Sequence, residues 1–374
     1  MSTLVHSVRL VDDGHVTDDA WILFEDGRVG ARGQGGSHPD ASAIVDGEGG
    51  CLTPGFVDIH GHGGGGASYD DGPGAIREAR ALHRAHGTTR AVVSLVTATL
   101  DELAERAAMV AEVAEQDDTV LGSHLEGPFL DPGHKGAHTA SLLRAPDAAS
   151  VARLLEAGRG TIRQVTLAPE LPGALDAVRR LTGEGVVVAV GHTDADADAA
   201  RRAFDAGASV LTHAFNAMRG IHHRAPGPVV AALRDPRVTL ELIADGVHID
   251  LEVVATAFTA APDRIALVTD AMAAAGSDDG HYRLGGLEVT VSDGVARLDD
   301  GTIAGSTLTQ DAALRRVVGA GVDLGLAVAA LTRVPARAIG RPELGRLDVG
   351  AIADAVLLDG ELGVRRVWVA GEAV

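Results

Sequence analysis

Residues 54–63 read PGFVDIHGHG, an apolar run that ends in two histidines. The run predicts a short buried strand, and His60 and His62 follow at its end. On an extended chain, residues i and i+2 point to the same face, so both imidazoles can bind one ion. Neutral imidazole is a good ligand for zinc, iron, copper or nickel. Two polar residues at the end of a strand would give the same pattern, so the remaining sequence has to distinguish the two interpretations.

Eight apolar strand candidates follow one another from Thr53 onward. They end near His60, Val96, Glu126, Ala168, His192, His213, Asp245 and Asp270. Helical segments rich in Ala, Arg and Glu separate most of them, at residues 74–86, 101–116, 172–183, 194–206 and 250–260. Parallel strands need crossover helices, and eight strand–helix repeats over about 250 residues are typical of a closed barrel. The sequence therefore predicts an α/β fold with a TIM-like (β/α)8 barrel, with an open doubly wound sheet as the alternative.

The two ends of the chain have a different character. Residues 1–52 and 341–374 contain short strand-like runs separated by Asp-Gly pairs, which favour tight hairpins. We therefore expect both termini to build one small β-sandwich domain, with the barrel at residues 53–340 inserted between them. Gly-Gly and Asp-Gly turns at about 276–304 predict a β insertion after the eighth barrel strand.

Composition excludes several classes of function. The formal charge of −20 argues against nucleic acid and anionic membrane as partners, since both demand clustered positive charge. No apolar run approaches the roughly 18 to 20 residues of a membrane helix, and no signal peptide is evident, so we expect a cytoplasmic protein. Cys51 is the only cysteine, which excludes an internal disulfide and a multi-thiolate metal site. Lys135 is the only lysine.

Metal-ligand residue types fall at several of the predicted strand ends. They are His60, His62, Glu126, His192, His213 and Asp270. In a (β/α)8 barrel the active site forms where the carboxyl ends of the strands meet. We therefore predict a metal-dependent hydrolytic site with one or two divalent ions per chain. Zinc is expected, and iron, cobalt and manganese are compatible with these ligands.

The roles of these residues follow from their positions. His60 and His62 would hold one ion and His192 and His213 a second, with Glu126 able to reach either or bridge both. Asp270 is placed to accept a proton from water and pass it to a leaving amine, and it is equally suited to be a metal ligand. His124 shares a face with Glu126 and is expected to support it by hydrogen bonding. His83, in a predicted helical segment, is expected to lie on the surface.

A cationic cluster in the segment 216–227 points to the substrate. The segment contains Arg219, His222, His223 and Arg224 in an otherwise acidic chain, and it follows the sixth predicted strand. Local positive charge on the catalytic face fits an anionic group such as phosphate. An ordinary solvated loop is the alternative.

Several segments carry a resemblance to a known family. They are HLEGPF at 124–129, KGAH at 135–138, GHT at 191–193, THAFNAM at 212–218, ADGVH at 244–248, VTDA at 268–271 and PARAIG at 335–340. From about residue 50 to the C-terminus, the chain resembles the N-acetylglucosamine-6-phosphate deacetylases of the amidohydrolase superfamily.

This resemblance implies hydrolysis of the acetamide of N-acetylglucosamine 6-phosphate to glucosamine 6-phosphate and acetate. It implies that Asp270 is the acid/base and that His138 contacts the sugar and steadies the oxyanion. It also implies a homodimer, in which Arg224 reaches the phosphate from the neighbouring subunit. The remaining substrate contacts that it implies are Asn216, Ala217, His248 and Leu308.

Two other interpretations remain open at this point. Another amidohydrolase, such as an N-acyl-amino-acid deacetylase or a cyclic-amide hydrolase, would explain the metal ligands equally well. A catalytically dead barrel that acts as a scaffold is the third, but such a protein should have lost ligands.

Overall fold

The eight predicted central strands form one parallel sheet that is hydrogen-bonded in chain order. The computed structural model describes residues 2–374. The barrel strands are Phe56–Asp58, Thr88–Val96, Val120–Glu126, Ile162–Leu167, Val187–Val190, Val210–Leu211, Thr239–Leu242 and Ile265–Leu267. A doubly wound sheet would break this sequential order, so the order favours the barrel.

The first and last strands meet just beyond their carboxyl ends. The amide of Asp270 donates to the carbonyl of His60 at 2.8 Å, and the hydroxyl of Thr269 donates to Asp58 at 2.6 Å. Gly61 permits this approach, because a Cβ there would lie 2.9 Å from the Thr269 hydroxyl oxygen. These contacts close the barrel beside the His-x-His pair, as the sequence predicted.

Helices surround the barrel and cover its strands. The α-helices are Pro73–Ala85, Leu100–Gln116, Ala148–Gly158, Ala174–Gly183, Ala197–Ala206, Gly227–Arg234, Leu251–Ala260, Gln310–Gly319, Leu324–Leu331 and Arg333–Ala338. Short 3-10 helices lie at Tyr69–Asp71, Pro132–His134 and Ala140–Leu142. Aliphatic and alanine side chains from strands and helices form one large core cluster between the two layers. Within residues 2–374, no helix combines the length and apolar character that crossing a membrane would require.

The two ends of the chain share one eight-stranded sheet. Its strands are Ser2–Asp12, His15–Glu25, Arg28–Gln34, Ala43–Asp46, Cys51–Pro54, Ala355–Leu358, Val364–Val369 and Glu372–Ala373. Cys51–Pro54 pairs with Ser2–Asp12 on one side and with Ala355–Leu358 on the other, so it joins the two termini. The sheet has its own apolar core, in which Phe24 packs edge-on against Trp368. The domain limits drawn from the sequence stay a prediction, and the limit at residues 52 and 53 falls inside Cys51–Pro54.

A three-stranded antiparallel sheet follows the eighth barrel strand. Its strands are Gly280–Leu284, Leu287–Ser292 and Val295–Arg297, within the segment where the sequence predicted a β insertion. Its buried side chains pack against Val96, Ala137 and Met272, which lie near the mouth of the barrel. The insertion therefore forms a wall on the side where the barrel strands end. A two-stranded turn, Gly63–Gly64 with Ala67–Ser68, follows the His-x-His pair.

Candidate active site

The backbone turns sharply at three of the six predicted ligands. His192, His213 and Asp270 follow barrel strands and have positive φ values of 46°, 25° and 47°. L-residues rarely adopt this conformation, and it persists only where the surrounding structure enforces it. Phe215 and Ala217, in the turn after His213, share it, at 80° and 49°. The strained residues thus lie together where the strands end.

His60, His62, Glu126 and Asp270 form one group of candidate ligands. His62 Nε2 lies 3.0 Å from Glu126 Oε2 and 3.2 Å from Asp270 Oδ1. His60 Nε2 lies 3.4 Å from Glu126 Oε1 and 3.5 Å from Asp270 Oδ1. All four residues are buried, so two imidazoles and two carboxylates converge on one small volume away from bulk water.

His192 and His213 form a second group with the same Glu126. Their Nε2 atoms lie 3.2 and 3.1 Å from Glu126 Oε1 and 2.9 Å from each other. The Glu126 carboxylate therefore presents Oε1 to this group and to His60, and Oε2 to His62. This arrangement suits a bridging carboxylate. Lys135 lies apart, with its ammonium donating to the carbonyl of Gly136.

The donor set fits divalent metal ions. Each group offers ligand atoms that lie within 4.8 Å of one another, and His60 Nε2 is buried without a hydrogen-bond partner. Imidazole nitrogen with carboxylate oxygen suits zinc, iron, cobalt or manganese. Like-facing imidazole nitrogens at 2.9 Å also favour a cation between them, because their lone pairs otherwise repel.

The electrostatics of the first group also favour a bound cation. Burial opposes ionisation of the carboxyls, but the neighbouring His60 lowers the pKa of Glu126 well below its usual value and helps to lower that of Asp270 to about 2. Burial likewise opposes charging of the imidazoles, yet these carboxylates raise the pKa of His60 well above its usual value and that of His62 to about 9. The carboxylates therefore demand positive charge, which bound protons or a metal cation can supply.

Several buried polar groups hold the ligands in place. His124 is fully buried, with its two ring nitrogens 2.9 Å from Ser94 Oγ and 2.8 Å from Thr166 Oγ1, so it supports the site and belongs to neither ligand group. His192 Nδ1 donates to the carbonyl of His134 at 2.9 Å. Each contact fixes the rotation of a ring.

Glu241 was missed by the sequence analysis. It lies in the seventh barrel strand, is fully buried, and places one carboxylate oxygen 3.0 Å from His60 Nδ1. A single acidic residue inside the apolar run LELI is the signal that could have identified it, since buried charges are rare unless they are paired.

A cavity of about 370 Å³ opens above the ligands. Among the predicted substrate contacts, His138, Asn216, Ala217 and His248 line it. Leu284, Thr302 and Ile303 line it from the segment of the β insertion, and no sequence pattern had assigned them to the site.

His138 lies close to the ligands. Its Nδ1 lies 2.8 Å from the Thr97 hydroxyl oxygen and its Nε2 3.7 Å from Glu126 Oε2. Burial, helped by the charge of the neighbouring His192, lowers the pKa of His138 to about 3. The ring is therefore neutral near pH 7, and the hydroxyl of Thr97 influences which of its nitrogens carries the proton.

Two predicted substrate contacts lie outside the cavity. Arg224 is exposed and does not line it, and Leu308 is buried in the hydrophobic core, so the protein's own chain does not place either side chain beside the ligands. Arg219, of the same cationic cluster as Arg224, is paired with Asp194. Within residues 2–374, no arginine or lysine lines the cavity.

The assignment of His83 to the surface is wrong. Its side chain is buried, and Nε2 donates to the carbonyl of Gly63 at 2.8 Å. His83 shares the inward face of helix Pro73–Ala85 with Ile76, Ala79 and Arg80. The spacing of these four residues is that of one helix face.

Metal-type ligands gathered from several strand ends at the mouth of a barrel are typical of metal-dependent hydrolases. The chain belongs to the amidohydrolase family, whose model matches residues 51–374. The N-acetylgalactosamine-6-phosphate deacetylase of Escherichia coli O157:H7 is 38% identical over 382 residues, covering 100% of this chain and 99% of that protein. The N-acetylglucosamine-6-phosphate deacetylase of Vibrio furnissii is 33% identical over 384 residues, covering 99% of this chain and 93% of that protein.

Solved structures of deacetylases also match this chain over its full length. The N-acetyl-D-glucosamine-6-phosphate deacetylase of Mycobacterium smegmatis superimposes with a TM-score of 0.95 at 43% identity, covering 100% of both chains. A mutant of that enzyme in complex with N-acetyl-D-glucosamine-6-phosphate also superimposes with a TM-score of 0.95, covering 100% of this chain and 98% of that chain.

Proposed function

We propose that this protein hydrolyses the acetamide of N-acetylglucosamine 6-phosphate to glucosamine 6-phosphate and acetate. The observation that carries the proposal is the convergence of two ligand groups on Glu126 at the floor of a cavity. The full-length likeness to deacetylases of N-acetylhexosamine 6-phosphates indicates the substrate class.

The proposed ligands are His60, His62, Glu126 and Asp270 for one ion, and Glu126, His192 and His213 for the other. When bound, a divalent ion polarises a carbonyl and lowers the pKa of water beside it. Zinc is the expected metal. We propose two ions per chain because every residue predicted as a ligand is present in its group. The one-ion and two-ion forms are distinguished by metal analysis.

Asp270 is proposed to move the proton. Its carboxylate is ionised near neutral pH, because His60 and His62 help to hold its pKa at about 2. It can therefore accept a proton from the attacking water and then give it to the leaving amine nitrogen. Asp270 lines the cavity, which supports the proposal that this exchange takes place beside a bound acetamide.

His138 is proposed to stabilise the oxyanion that develops on the acetamide oxygen. The ring is neutral, so it donates toward the cavity only if the proton is on Nε2. That tautomer requires the Thr97 hydroxyl to donate its one proton to Nδ1, at 2.8 Å, in preference to the backbone carbonyl of Glu126, at 3.2 Å. A preoriented donor of this kind stabilises the transition state more than the substrate.

The phosphate is proposed to bind beside Asn216, Ala217 and His248. Asp245 Oδ2 accepts from His248 Nδ1 at 2.6 Å, so His248 Nε2 is the remaining ring nitrogen, and it donates to a phosphate oxygen when the ring carries both protons. Since no arginine or lysine within residues 2–374 lines the cavity, full charge complementarity needs another cation. We propose that Arg224 of a second subunit supplies it in a homodimer.

N-acetylgalactosamine 6-phosphate is the second candidate substrate. The observation that favours it is the 38% identity, over the whole chain, to an enzyme named for that sugar. The two sugars differ only in the configuration at C4, and the acetamide and phosphate are shared.

The deciding experiment measures acetate release from four compounds with metal content determined on the same preparation. The compounds are N-acetylglucosamine 6-phosphate, N-acetylgalactosamine 6-phosphate and the two unphosphorylated sugars. We expect rapid release from one or both phosphorylated sugars and little from the others. An Asp270→Asn preparation is the control for contaminating activity.

Absence of acetate from all four compounds in a metal-replete sample would contradict the proposal. N-acyl amino acids and cyclic amides would then be the next substrates to assay. The cytoplasmic location stays a prediction from the sequence.

A further inference from the structure

A fully buried carboxylate lies beneath the ligand groups and belongs to neither of them. Glu241 is in the seventh barrel strand, Thr239–Leu242, with its side chain pointing into the barrel and no solvent exposure. An ionised carboxylate at such a position is strongly unfavourable unless hydrogen bonds and positive charge compensate it.

The hydrogen bonds of Glu241 are specific. Oε2 lies 3.0 Å from His60 Nδ1 and accepts from the backbone amide of His213 at 3.3 Å. Oε1 accepts from the amide nitrogen of Gln164 at 2.8 Å. Gln164 is also fully buried and cannot neutralise the charge. Among the three hydrogen-bond partners of Glu241, only the His60 ring can carry positive charge or bind a cation.

The bond to His60 has a chemical consequence. The form of His60 that binds a metal is the neutral imidazole, which carries one proton, and an acceptor at Nδ1 holds that proton on Nδ1. Nε2 is then left as a lone pair, and it is the atom that faces Glu126 and Asp270. An acceptor of this kind fixes the tautomer and ring orientation of a metal ligand and raises its basicity.

His60 differs in this respect from the other proposed histidine ligands. His192 Nδ1 donates to a neutral carbonyl, and the Nδ1 atoms of His62 and His213 have no hydrogen-bond partner within residues 2–374. A carboxylate therefore supports only one of the four rings. The same carboxylate holds the backbone of His213, whose φ is 25°.

We propose that Glu241 is a positioning residue that prepares His60 to bind an ion. Its carboxylate fixes the Nδ1–H tautomer and supplies negative charge that strengthens the ion's binding through the ring. Through the His213 amide it also links the two ligand groups mechanically. The inference rests on the metal site of the proposed function, but it does not depend on the identity of the substrate.

The test is a zinc titration of metal-free protein against a chelating indicator. Glu241→Gln preserves shape, and Gln164 can turn its amide so that its oxygen, now without a partner, accepts from the new side chain. Asp12→Asn is the matched control, since it also converts a buried carboxylate to an amide but lies in the terminal sheet.

We expect Glu241→Gln to weaken one of two zinc-binding steps by about 10- to 100-fold, as is typical when the partner of a ligating histidine is lost. The other step should change much less, and Asp12→Asn should bind zinc as the wild type does. The thermal unfolding midpoint of metal-free Glu241→Gln should stay near that of the wild type, while the stabilisation by added zinc should shrink.

Unchanged zinc affinity in Glu241→Gln would overturn the proposal. If the metal-free variant were also less stable than the wild type, the role of Glu241 would be purely structural.

A measurement on the wild type keeps the proposal testable if Glu241→Gln does not fold. Nitrogen-15 NMR of the zinc-loaded protein, with His60 assigned by its absence in His60→Asn, should show the proton on Nδ1. A proton on Nε2 would overturn the proposal. If zinc binds normally but no acetate is released, the proposed substrate is wrong and Glu241 is still tested. If the wild type binds no zinc, the metal site itself fails.

Discussion

Asp270 has two proposed roles, proton transfer and metal ligation. Its Oδ1 lies 3.2 Å from His62 Nε2, and it lines the cavity. Asp270→Asn keeps the size of the side chain but removes its basicity. We expect kcat to fall about 10²- to 10⁴-fold, which is the usual contribution of a general base, while KM changes little. Steady-state kinetics with metal analysis of the same sample checks this.

The two proposed roles of Asp270 predict different effects of Asp270→Asn on turnover and metal content. Retained metal with lost turnover fits proton transfer, whereas loss of one ion would show that ligation is its main contribution. Activity within about twofold of the wild type would contradict both roles.

His83 should make the free energy of unfolding depend on pH. Burial is the main reason that its pKa falls from 6.5 to about 4 in the folded protein. Between those values the unfolded chain binds more protons than the folded one, so stability rises with pH and is lost as pH falls from about 6.5 toward 4. The full effect is about 3 kcal/mol.

Denaturant unfolding of metal-free protein at pH 7 and pH 4.5 measures this dependence. His83→Gln keeps a donor for the Gly63 carbonyl but cannot titrate, so its stability should fall less on acidification. The control is His281→Gln in the exposed β insertion, which should follow the wild type. Equal pH dependence in all three proteins would contradict the prediction.

Helix Leu100–Gln116 begins with a capping box. The Thr99 hydroxyl accepts from the Glu102 amide at 3.3 Å, and the Glu102 carboxylate accepts from the Thr99 amide at 3.0 Å. Thr99→Ala removes one half of this exchange and should destabilise the protein by about 1 kcal/mol. Chemical denaturation measures the change, and kcat should not alter.

Thr259→Ala is the control for the same change elsewhere. Thr259 lies in the last turns of helix Leu251–Ala260, where its hydroxyl only donates back to the carbonyl of Ala255. Its replacement should be close to neutral. Equal destabilisation by the two substitutions would show that the capping box adds nothing.

Regular elements were predictable because their signals are local. The eight barrel strands are apolar runs, and five of them end at or just before a predicted ligand. The buried face of helix Pro73–Ala85 follows from the spacing of its residues. That spacing would have placed His83 inside, had it been applied to the histidine. Helix Gly227–Arg234 was not predicted, because it has only eight residues and begins with Gly-Pro. So short a helix contains too few turns for its hydrophobic periodicity to be detected.

Contacts between distant elements could not be predicted in the same way. The partnership of Glu241 with His60 joins residues 181 positions apart, and only barrel closure brings them together. The resemblance implies that Leu308 contacts the substrate, yet its side chain packs into the core. Gly305, three residues earlier, lines the cavity, so the fold determines which atoms of this stretch face the site.

At the scale of the whole molecule, one buried ion pair joins the barrel to the terminal sheet. Arg90 in the second barrel strand makes two bonds to Asp354, at 2.6 and 3.1 Å, and both side chains are less than 10% exposed. Asp354→Ala leaves a buried guanidinium without its partner and should cost about 3–5 kcal/mol. Asp18→Ala, which breaks an exposed pair with Arg9, should cost less than about 1 kcal/mol.

Denaturant unfolding of the two variants compares these costs. A similar small loss in both would mean that Arg90 finds other compensation, for example from Asp118, which lies 3.0 Å away.

The proposed homodimer predicts that two inactive chains can restore one active site. Asp270→Asn retains Arg224 but lacks the base, whereas Arg224→Ala retains the base but should bind the phosphorylated sugar poorly. If Arg224 acts across the interface, a mixed dimer has one site with both groups intact.

Coexpression with two different affinity tags, followed by purification on both, isolates that mixed dimer. Its kcat/KM per molecule should reach about half that of the wild-type dimer, because one of two sites is complete. If Arg224 instead serves its own chain, the mixed dimer has no complete site, and its kcat/KM per molecule should be about half that of the Arg224→Ala homodimer, because only one of its two sites retains the base. A monomer in solution would exclude the arrangement altogether, and the phosphate would then have to be bound without Arg224.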